Sequence, residues 1–234
     1  MKFAVMQPYF MPYIGYFQLI SAVDKFVIYD NIEFTKKGWI NRNRILINGE
    51  PQYFTINIDK ASDYALIHER NISPVFKKNR KKILAQIEAN YRSAPHYDEV
   101  LPIVKTCFEY TEDNLFQYIL NSIKSITRYL SIDTELIVSS SLPIDHSLKN
   151  KYKLWALSDH INIKNYINPE GGMKLYDKEE FARHGMNLFF QQSNLIPYVQ
   201  SGRSEFCPAL SIIDLLMNLG REGTRQKLDE FALI

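Results

Sequence analysis

Proline, tyrosine and glycine are concentrated in QPYFMPYIGYF, near the start of the chain. The prolines stiffen this stretch because each fixes φ and lacks an amide hydrogen. Gly15 allows the close approach of a ligand, and the phenols of Tyr13 and Tyr16 can donate hydrogen bonds to phosphate oxygens. Candidate ligand-binding residues here are Gln7, Tyr13, Gly15 and Tyr16, and three of them, Gln7, Tyr13 and Tyr16, are also catalytic candidates. The alternative is an aromatic loop that only packs over the end of a sheet.

Basic and amide side chains are interleaved in a second stretch, DNIEFTKKGWINRNRI. Arginine can clamp a diphosphate through parallel hydrogen bonds, an indole offers a flat surface to a sugar or base, and asparagine both donates and accepts hydrogen bonds. We expect Arg42 to contact a ligand phosphate, and Lys37 is a further catalytic candidate. The binding candidates from this stretch are Asn31, Lys37, Trp39, Asn41 and Arg42. The alternatives are a solvated basic edge that discourages aggregation and an RNA-binding patch, which a net charge of only +2 disfavours.

Two later stretches could also bind an anion. In NPEGGMKLYDKEEF, Gly171 and Gly172 could turn backbone amides towards an anion, although a tight turn explains the same pair. In SGRSEFCPALSIIDLLMN, Arg203 precedes a helix and is a binding candidate. Asp214 lies on the same, otherwise apolar helix. We expect it to pair with an arginine or lysine, because a buried carboxylate needs a partner.

Motifs for metal-dependent or nucleophilic catalysis are absent from the sequence. It contains no H-E-x-x-H, no G-x-S-x-G, no P-loop and no Cys/His cluster, so we expect no protein-bound metal site. Catalysis would then rest on positioning and electrostatic stabilisation. ATP with Mg²⁺ is the cofactor that this chemistry could add.

The composition is typical of a cytoplasmic protein. The two cysteines, Cys107 and Cys207, are far apart and form no CxxC pattern, which suits a reducing compartment. No secretory signal is visible, and no run approaches the roughly 18 apolar residues of a membrane span. We expect a nucleotide or nucleotide-sugar ligand, no nucleic acid and no membrane span.

Hydrophobic patterns place these stretches at the corners of an α/β domain. KFAVMQ, YIGYFQLISAVD and KFVIYDNI form a β-α-β unit, which predicts parallel strands and a right-handed crossover. RILINGEPQYFTINID predicts a hairpin that turns at Asn48 and Gly49. Helical segments follow from Ser73, and then a second β-α-β unit and an apolar helix that closes at Gly220.

We therefore predict one α/β domain over residues 1–234. It has a mainly parallel sheet of about five strands with the first strand central, a helical insert at about residues 70–132 and a C-terminal helix. Ligands of such sheets bind beyond the carboxyl ends of the strands. The chain leaves the predicted strands there after Met6, Asp30 and Pro169.

The first corner resembles that of the HUP nucleotidyl-transferase fold, the group that includes pantothenate synthetase and class I aminoacyl-tRNA synthetases. The run from Tyr13 to Tyr16 has the spacing of their His-x-Gly-His motif, with both histidines replaced by tyrosine. The resemblance implies a Rossmann-like sheet and binding of nucleotide phosphate. The replacement argues against adenylyl transfer, because a neutral phenol supplies no imidazolium charge.

Nearly the whole chain resembles the WbqC-like family of bacterial surface-polysaccharide gene clusters. Four stretches carry the likeness in order: QPYFMPYIGYF, YDNIEFTKKGWINRNRI, YINPEGGMKLYDKEEFARHGMNLFF and FCPALSIIDLLMNLG. The resemblance implies a cytoplasmic step in O-antigen, capsule or lipopolysaccharide synthesis, with enzymes of the same pathway as partners. A transferase or ligase that attaches an amino acid, such as glycine, or an acyl group to the amine of a nucleotide-linked amino sugar fits this role.

Two alternatives remain open from the sequence. One is a nucleotidyltransferase of the HUP type. The other is a non-catalytic module of a polysaccharide assembly complex, which would use an exposed apolar patch around Tyr9, Phe10 and Met11 as its interface.

Overall fold

The computed structural model describes all 234 residues and contains a six-stranded sheet, a separate hairpin and seven α-helices. The strands are β1 (Lys2–Met6), β2 (Lys25–Ile28), β3 (Arg42–Ile47), β4 (Glu50–Thr55), β5 (Glu135–Val138), β6 (Asn165–Pro169), β7 (Asn187–Ser193) and β8 (Phe231–Leu233). The helices are α1 (Ile14–Ser21), α2 (Pro74–Tyr91), α3 (Tyr97–Glu109), α4 (Leu115–Tyr129), α5 (Asn150–Ile161), α6 (Lys178–Arg183) and α7 (Ile212–Gln226). The predicted α/β class is confirmed.

The large sheet is parallel except at one edge. Its strand order is β5-β2-β1-β6-β7-β8, and β3 and β4 form the separate antiparallel hairpin. β1 pairs in parallel with β2, where Val5 lies opposite Val27, and with β6, where Phe3 lies opposite Tyr166. Only β8 runs antiparallel to its neighbour β7. The first strand is therefore interior, as predicted, and the short edge strand β8 brings the sheet to six strands rather than about five.

Helices cover both faces of the sheet. One face carries the larger apolar core, to which α1, α2, α3, α4 and α7 contribute. On the other face, Phe3 and Val5 of β1 pack with side chains of α5 and α6. The chain leaves β1 towards β2 on one side, whereas it leaves β6 towards β7 on the other. The strand order thus reverses between β1 and β6, and a crevice forms at the carboxyl ends of such strands.

Local sequence signals account for the elements between β2 and β5. Asn48 and Gly49 both have positive φ, 52° and 77°, and form the tight turn between β3 and β4. The side chain of Ser73 accepts a hydrogen bond from a first-turn amide of α2, and Pro74 is the first helical residue. The helical segment expected at about residues 70–132 consists of α2, α3 and α4.

The final long helix, α7, bends where the sequence predicted its end. Ser211 caps its start, and the Ser211 hydroxyl donates to the carbonyl of Met11, which ties α7 to the first loop. At Gly220 the backbone takes a φ of 63° and the helix continues beyond the bend. A side chain at Gly220 would come within 2.4 Å of the His96 ring, so glycine lets the ring pack into the bend. None of the seven helices combines the length and apolar character that crossing a membrane requires.

Candidate functional site

Two adjoining cavities open at the carboxyl ends of β1 and β6, where the strand order reverses. The larger cavity has a volume of about 690 Å³ and the smaller one about 440 Å³. Met6, Tyr9, Pro169 and Gly171 line both of them. A single elongated ligand could therefore occupy the two cavities together, at the position where sheets of this kind bind ligands.

Lys153, the fourth residue of α5, is a buried cation on the wall of the larger cavity. Its side chain is only 1% exposed, and its Nζ lies 4.9 Å from the ring centre of Tyr29. No hydrogen bond or salt bridge within the chain reaches this ammonium. Burial lowers the pKa of Lys153, and the carboxylates of Asp30 and Asp145 partly oppose this shift. A buried charge without a partner is costly, so an anionic ligand in the cavity would relieve the cost.

The amino end of α5 faces the same cavity. Lys149 occupies the cap position, and its side chain makes no hydrogen bond to the first-turn amides. Both Lys149 and Asn150 line the cavity. Free amides and the positive end of the helix dipole favour a bound anion. Together with Lys149 and Lys153, this helix end forms an electropositive wall suited to phosphate.

Asn31 and His146 form a hydrogen-bonded pair on the wall of the larger cavity. The Asn31 amide donates to Nδ1 of His146 at 2.8 Å, and Nε2 of His146 donates to the Leu142 carbonyl at 2.9 Å. With the Asn31 amide in this orientation, the bond to Leu142 places a proton on Nε2 of His146. Oδ1 of Asn31 is buried and has no hydrogen-bond partner, so it can accept a hydrogen bond from a ligand hydroxyl or amine.

The smaller cavity combines one carboxylate with phenol, amide and indole groups. Its polar lining comes from Tyr9, Tyr13, Trp39, Asn43, Glu170, Gln191 and Ser193. Burial raises the pKa of Tyr13, a hydrogen bond with Ser193 opposes the shift, and the charge of Glu170 reinforces it. Burial likewise raises the pKa of Tyr9 to about 12. Both phenols therefore stay protonated at neutral pH and can donate hydrogen bonds.

Gly171 and Gly172 follow β6 at the junction of the cavities. A side chain on Gly171 would meet no atom within 4 Å, so its backbone is open to a ligand. A side chain on Gly172 would lie 1.8 Å from Nδ2 of Asn168. Asn168 accepts a hydrogen bond from the Tyr166 hydroxyl at 3.2 Å. Glycine at position 172 thus lets the Asn168 amide close over the turn and face the larger cavity.

Two candidates from the first corner lie behind the site. Tyr16 is 2% exposed, and its hydroxyl donates to the carbonyl of Gln7 at 3.0 Å. A side chain on Gly15 would lie 2.5 Å from the ring of Tyr13, so that ring covers the backbone at the start of α1. Of the positions that resemble His-x-Gly-His, Tyr16 and Gly15 are therefore used for packing, Tyr13 lines the smaller cavity, and the start of α1 is closed to a phosphate.

Arg42 and Trp39 belong to an aromatic and cationic stack on the hairpin. Arg42 lies 4.9 Å from the ring centre of Tyr53, and Trp39 stacks on Tyr53 at 6.0 Å. The Arg42 guanidinium donates to the carbonyls of Lys37 and Gly38. Trp39 reaches the smaller cavity, whereas Arg42 lines a separate groove with Lys37 and Asn41.

Arg203 and Asp214 serve structural contacts. Arg203 donates to the Gly49 carbonyl at the turn of the hairpin, which is the end of the hairpin away from Arg42. The prediction that Asp214 pairs with an arginine or lysine is wrong. Its buried carboxylate instead accepts hydrogen bonds from Tyr91, Tyr198 and Gln200 at 2.6 to 3.0 Å. These neutral donors satisfy the carboxylate without a second buried charge.

The structure brings half of the candidates into the two cavities. Those on the cavity walls are Gln7, Tyr13, Asn31, Trp39, Gly171 and Gly172. Those that lie elsewhere are Gly15, Tyr16, Lys37, Asn41, Arg42 and Arg203. Lys153 was not identified from the sequence, although a signal existed. It occurs on the buried side of α5 with Leu154 and Leu157, where a lysine is unusual.

Comparison with known proteins identifies the family of the chain. The WbqC-like protein family matches the chain over residues 7–226. The uncharacterized protein Rv1507c of Mycobacterium tuberculosis (strain ATCC 25618 / H37Rv) is 29% identical over 225 residues, which cover 95% of each chain. No solved structure matches the chain. Because the family match extends over nearly the whole length, the chain belongs to the WbqC-like protein family.

Proposed function

We propose that the protein binds a nucleotide-linked amino sugar across the two cavities and transfers an acyl or aminoacyl group to the sugar amine. The observation that carries this proposal is the buried, unpartnered ammonium of Lys153 on the wall of a cavity at the reversal of the strand order. The proposed pathway is bacterial surface-polysaccharide synthesis, in O-antigen, capsule or lipopolysaccharide. The WbqC-like resemblance supports that assignment.

The diphosphate of the ligand would lie in the larger cavity. Its oxygens would accept hydrogen bonds from the Lys153 ammonium and from the free amides at the start of α5. This position differs from the arginine clamp predicted from the sequence, because the guanidinium of Arg42 already donates to carbonyls of its own loop. The unpaired Oδ1 of Asn31 would accept a hydrogen bond from a ligand hydroxyl.

The amino sugar would lie in the smaller cavity, which contains one carboxylate. Glu170 would attract the sugar ammonium and accept its proton, leaving a neutral amine that can attack. The amine nitrogen then bonds to the carbonyl carbon of an activated acyl donor, the bond from that carbon to the leaving group breaks with its electron pair, and the leaving group takes up the proton that the nitrogen loses. The Tyr13 phenol is protonated at neutral pH, and burial raises its pKa further. It could donate a hydrogen bond to the carbonyl oxygen as negative charge develops there.

ATP-dependent activation of the acyl group is the second version of this reaction. It would require Mg²⁺, which binds through one or two carboxylates and the phosphates of its substrate. Glu33 is the carboxylate that lines the larger cavity, so it would hold the ion together with the nucleotide. Adenylyl transfer of the HUP type has less support, because the ring of Tyr13 covers the start of α1.

The non-catalytic alternative has less support. An exposed apolar patch around Tyr9, Phe10 and Met11 would have favoured it, but Phe10 and Met11 are fully buried. Tyr9 contributes instead to the wall shared by the two cavities. A concave site, rather than a flat interface, favours a small-molecule ligand.

The proposal is tested by titrating the protein with UDP- and dTDP-linked amino sugars, with ATP, and with the same nucleotide sugars carrying a hydroxyl in place of the amine. A true ligand at a hundredfold excess over its Kd should stabilise the fold by about 2.7 kcal/mol, which raises Tm by about 5–10 °C for a chain of this size. The absence of a shift with every nucleotide sugar would refute the proposal.

The Glu170→Gln variant tests whether Glu170 binds the amine of the sugar. The wild type should bind the amino sugar more tightly than the hydroxyl analogue, and Glu170→Gln should bind the two about equally, because the variant lacks the negative charge. Lys174→Gln, a neighbouring charge change outside both cavities, is the matched control and should keep the preference. An unchanged preference in Glu170→Gln would remove Glu170 from the amine site.

A further inference from the structure

A basic groove lies beside the hairpin, outside the two cavities. It has a volume of about 510 Å³, and its charged lining residues are Lys36, Lys37, Arg42, Asp59, Lys60 and Arg70. No residue that lines this groove lines either cavity. In a chain whose net charge is only +2, such a local excess of positive charge creates a field that attracts anions.

Arg70 forms the buried floor of the groove. Its side chain is 3% exposed, and its guanidinium lies 5.1 Å from the ring centre of Phe34. Nη2 donates to the carbonyl of Ser62 at 2.7 Å, whereas Nε is buried without a partner. No carboxylate forms a salt bridge with Arg70 within the chain. A guanidinium held in this way is positioned in advance for a planar or tetrahedral oxyanion.

The other cations lie around Arg70 at the rim. Lys37 and Lys60 are exposed and form no salt bridge, whereas Lys36 pairs with Asp63 at 2.6 Å. Lys37 also has a left-handed backbone, with φ of 61°. A non-glycine residue in that conformation carries strain, which proteins commonly keep at binding sites. The groove therefore has four positive charges that form no salt bridge: Arg70 is buried, Arg42 is half-buried, and Lys37 and Lys60 are exposed.

We propose that this groove is a second anion site, which binds a phosphoryl group of a soluble ligand separate from the one in the cavities. Phosphate suits the groove because its multiple charges and tetrahedral oxygens can engage a guanidinium and two ammonium groups together. Asp59 is the one acidic residue among the lining residues. It would oppose the bound anion and so limit the affinity.

The experiment titrates pyrophosphate by calorimetry into Lys153→Met protein, in which the proposed phosphate site of the larger cavity is disabled. Binding in this background should persist and weaken as salt is raised. Adding Lys60→Ala should weaken it by about fivefold, the effect of one exposed charge contact. Adding Asp59→Asn should strengthen it by about the same factor. Lys81→Ala, an exposed cation on α2 away from the groove, is the control and should have no effect.

Arg70→Met gives the largest expected change, a loss of at least about tenfold in affinity. Because Arg70 is buried, this variant is informative only if its circular dichroism matches the parent, and the two exposed variants decide the outcome otherwise. The proposal is overturned if Lys153→Met protein binds no pyrophosphate, or if Lys60→Ala and Asp59→Asn leave the affinity unchanged. The result does not depend on the transferase proposal, since neither outcome involves a nucleotide sugar. Parallel titration with ATP tests whether the phosphoryl group belongs to a nucleotide.

Discussion

Replacing Lys153 with methionine should separate stability from ligand binding. Methionine keeps the length and apolar part of the side chain and removes the ammonium. In the free protein Lys153 is 1% exposed and its ammonium forms no hydrogen bond or salt bridge, so removal of the charge abolishes a desolvation cost. We expect Lys153→Met to be more stable than the wild type by about 1 kcal/mol, which raises Tm by about 2–4 °C at this chain length.

The same change should weaken binding of the nucleotide sugar. A hydrogen bond to a charged group contributes about 1.5–3 kcal/mol, which corresponds to a loss of about tenfold to about a hundredfold in affinity. The assay is thermal unfolding of the free protein and calorimetric titration of the ligand on the same sample. A variant that is more stable and binds more weakly is the expected combination, because the buried charge serves the ligand rather than the fold.

Lys151→Met provides the matched control. Lys151 lies on the same helix but pairs with Glu180 on its outer side and does not line the cavity. This control should leave affinity unchanged and lower stability slightly, if at all. If Lys153→Met lowered stability and left affinity unchanged, Lys153 would be a structural residue, and the placement of the phosphate at α5 would be wrong.

Three other outcomes follow from the same structure. Ligand affinity should begin to fall with rising pH below the ordinary lysine pKa of 10.5, because burial lowers the pKa of Lys153 and the neutral amine attracts phosphate weakly. The stability of the free protein should rise over the same range, since the unfolded state binds more protons there. pH titrations of wild type against Lys153→Met check both. Gly172→Ala should lower the free energy of unfolding by about 1–3 kcal/mol, because the added methyl group clashes with Asn168. Gly171→Ala is the control and should unfold in urea like the wild type. Equal effects of the two changes would contradict the close approach of Asn168 to this turn. Asp214→Asn should cost about 1–3 kcal/mol in the same assay. Tyr91 and Tyr198 donate to different carboxylate oxygens, and the amide nitrogen that replaces one oxygen cannot accept its hydroxyl hydrogen bond. Unchanged stability would show that this bond contributes nothing.

The sequence by itself determined the local elements and their order. Val, Ile and Phe in KFAVMQ and KFVIYDNI could only be buried strands, and the helix between them required a parallel crossover. Asn48 and Gly49 set the hairpin turn because few other residues adopt positive φ. Both signals involve only residues that are close in the chain. The hydrophobic pattern also locates the ends of strands, and it therefore placed Gln7, Asn31 and Gly171 correctly at the carboxyl ends of strands.

The tertiary structure alone decided which charged residues face the cavities. Arg42 and Lys153 are both cations close to predicted strand ends or helix starts, and only packing distinguishes them. Arg42 is held by carbonyls of its own loop, whereas α5 buries Lys153 against Tyr29 with no partner. Asp214 shows the same limit, because one of its neutral donors, Tyr91, comes from α2 and the other two, Tyr198 and Gln200, come from the stretch before α7. Periodicity tells which face of a helix is buried, but the groups that cover that face come from distant segments, and they determine whether a buried charge is paired or free for a ligand.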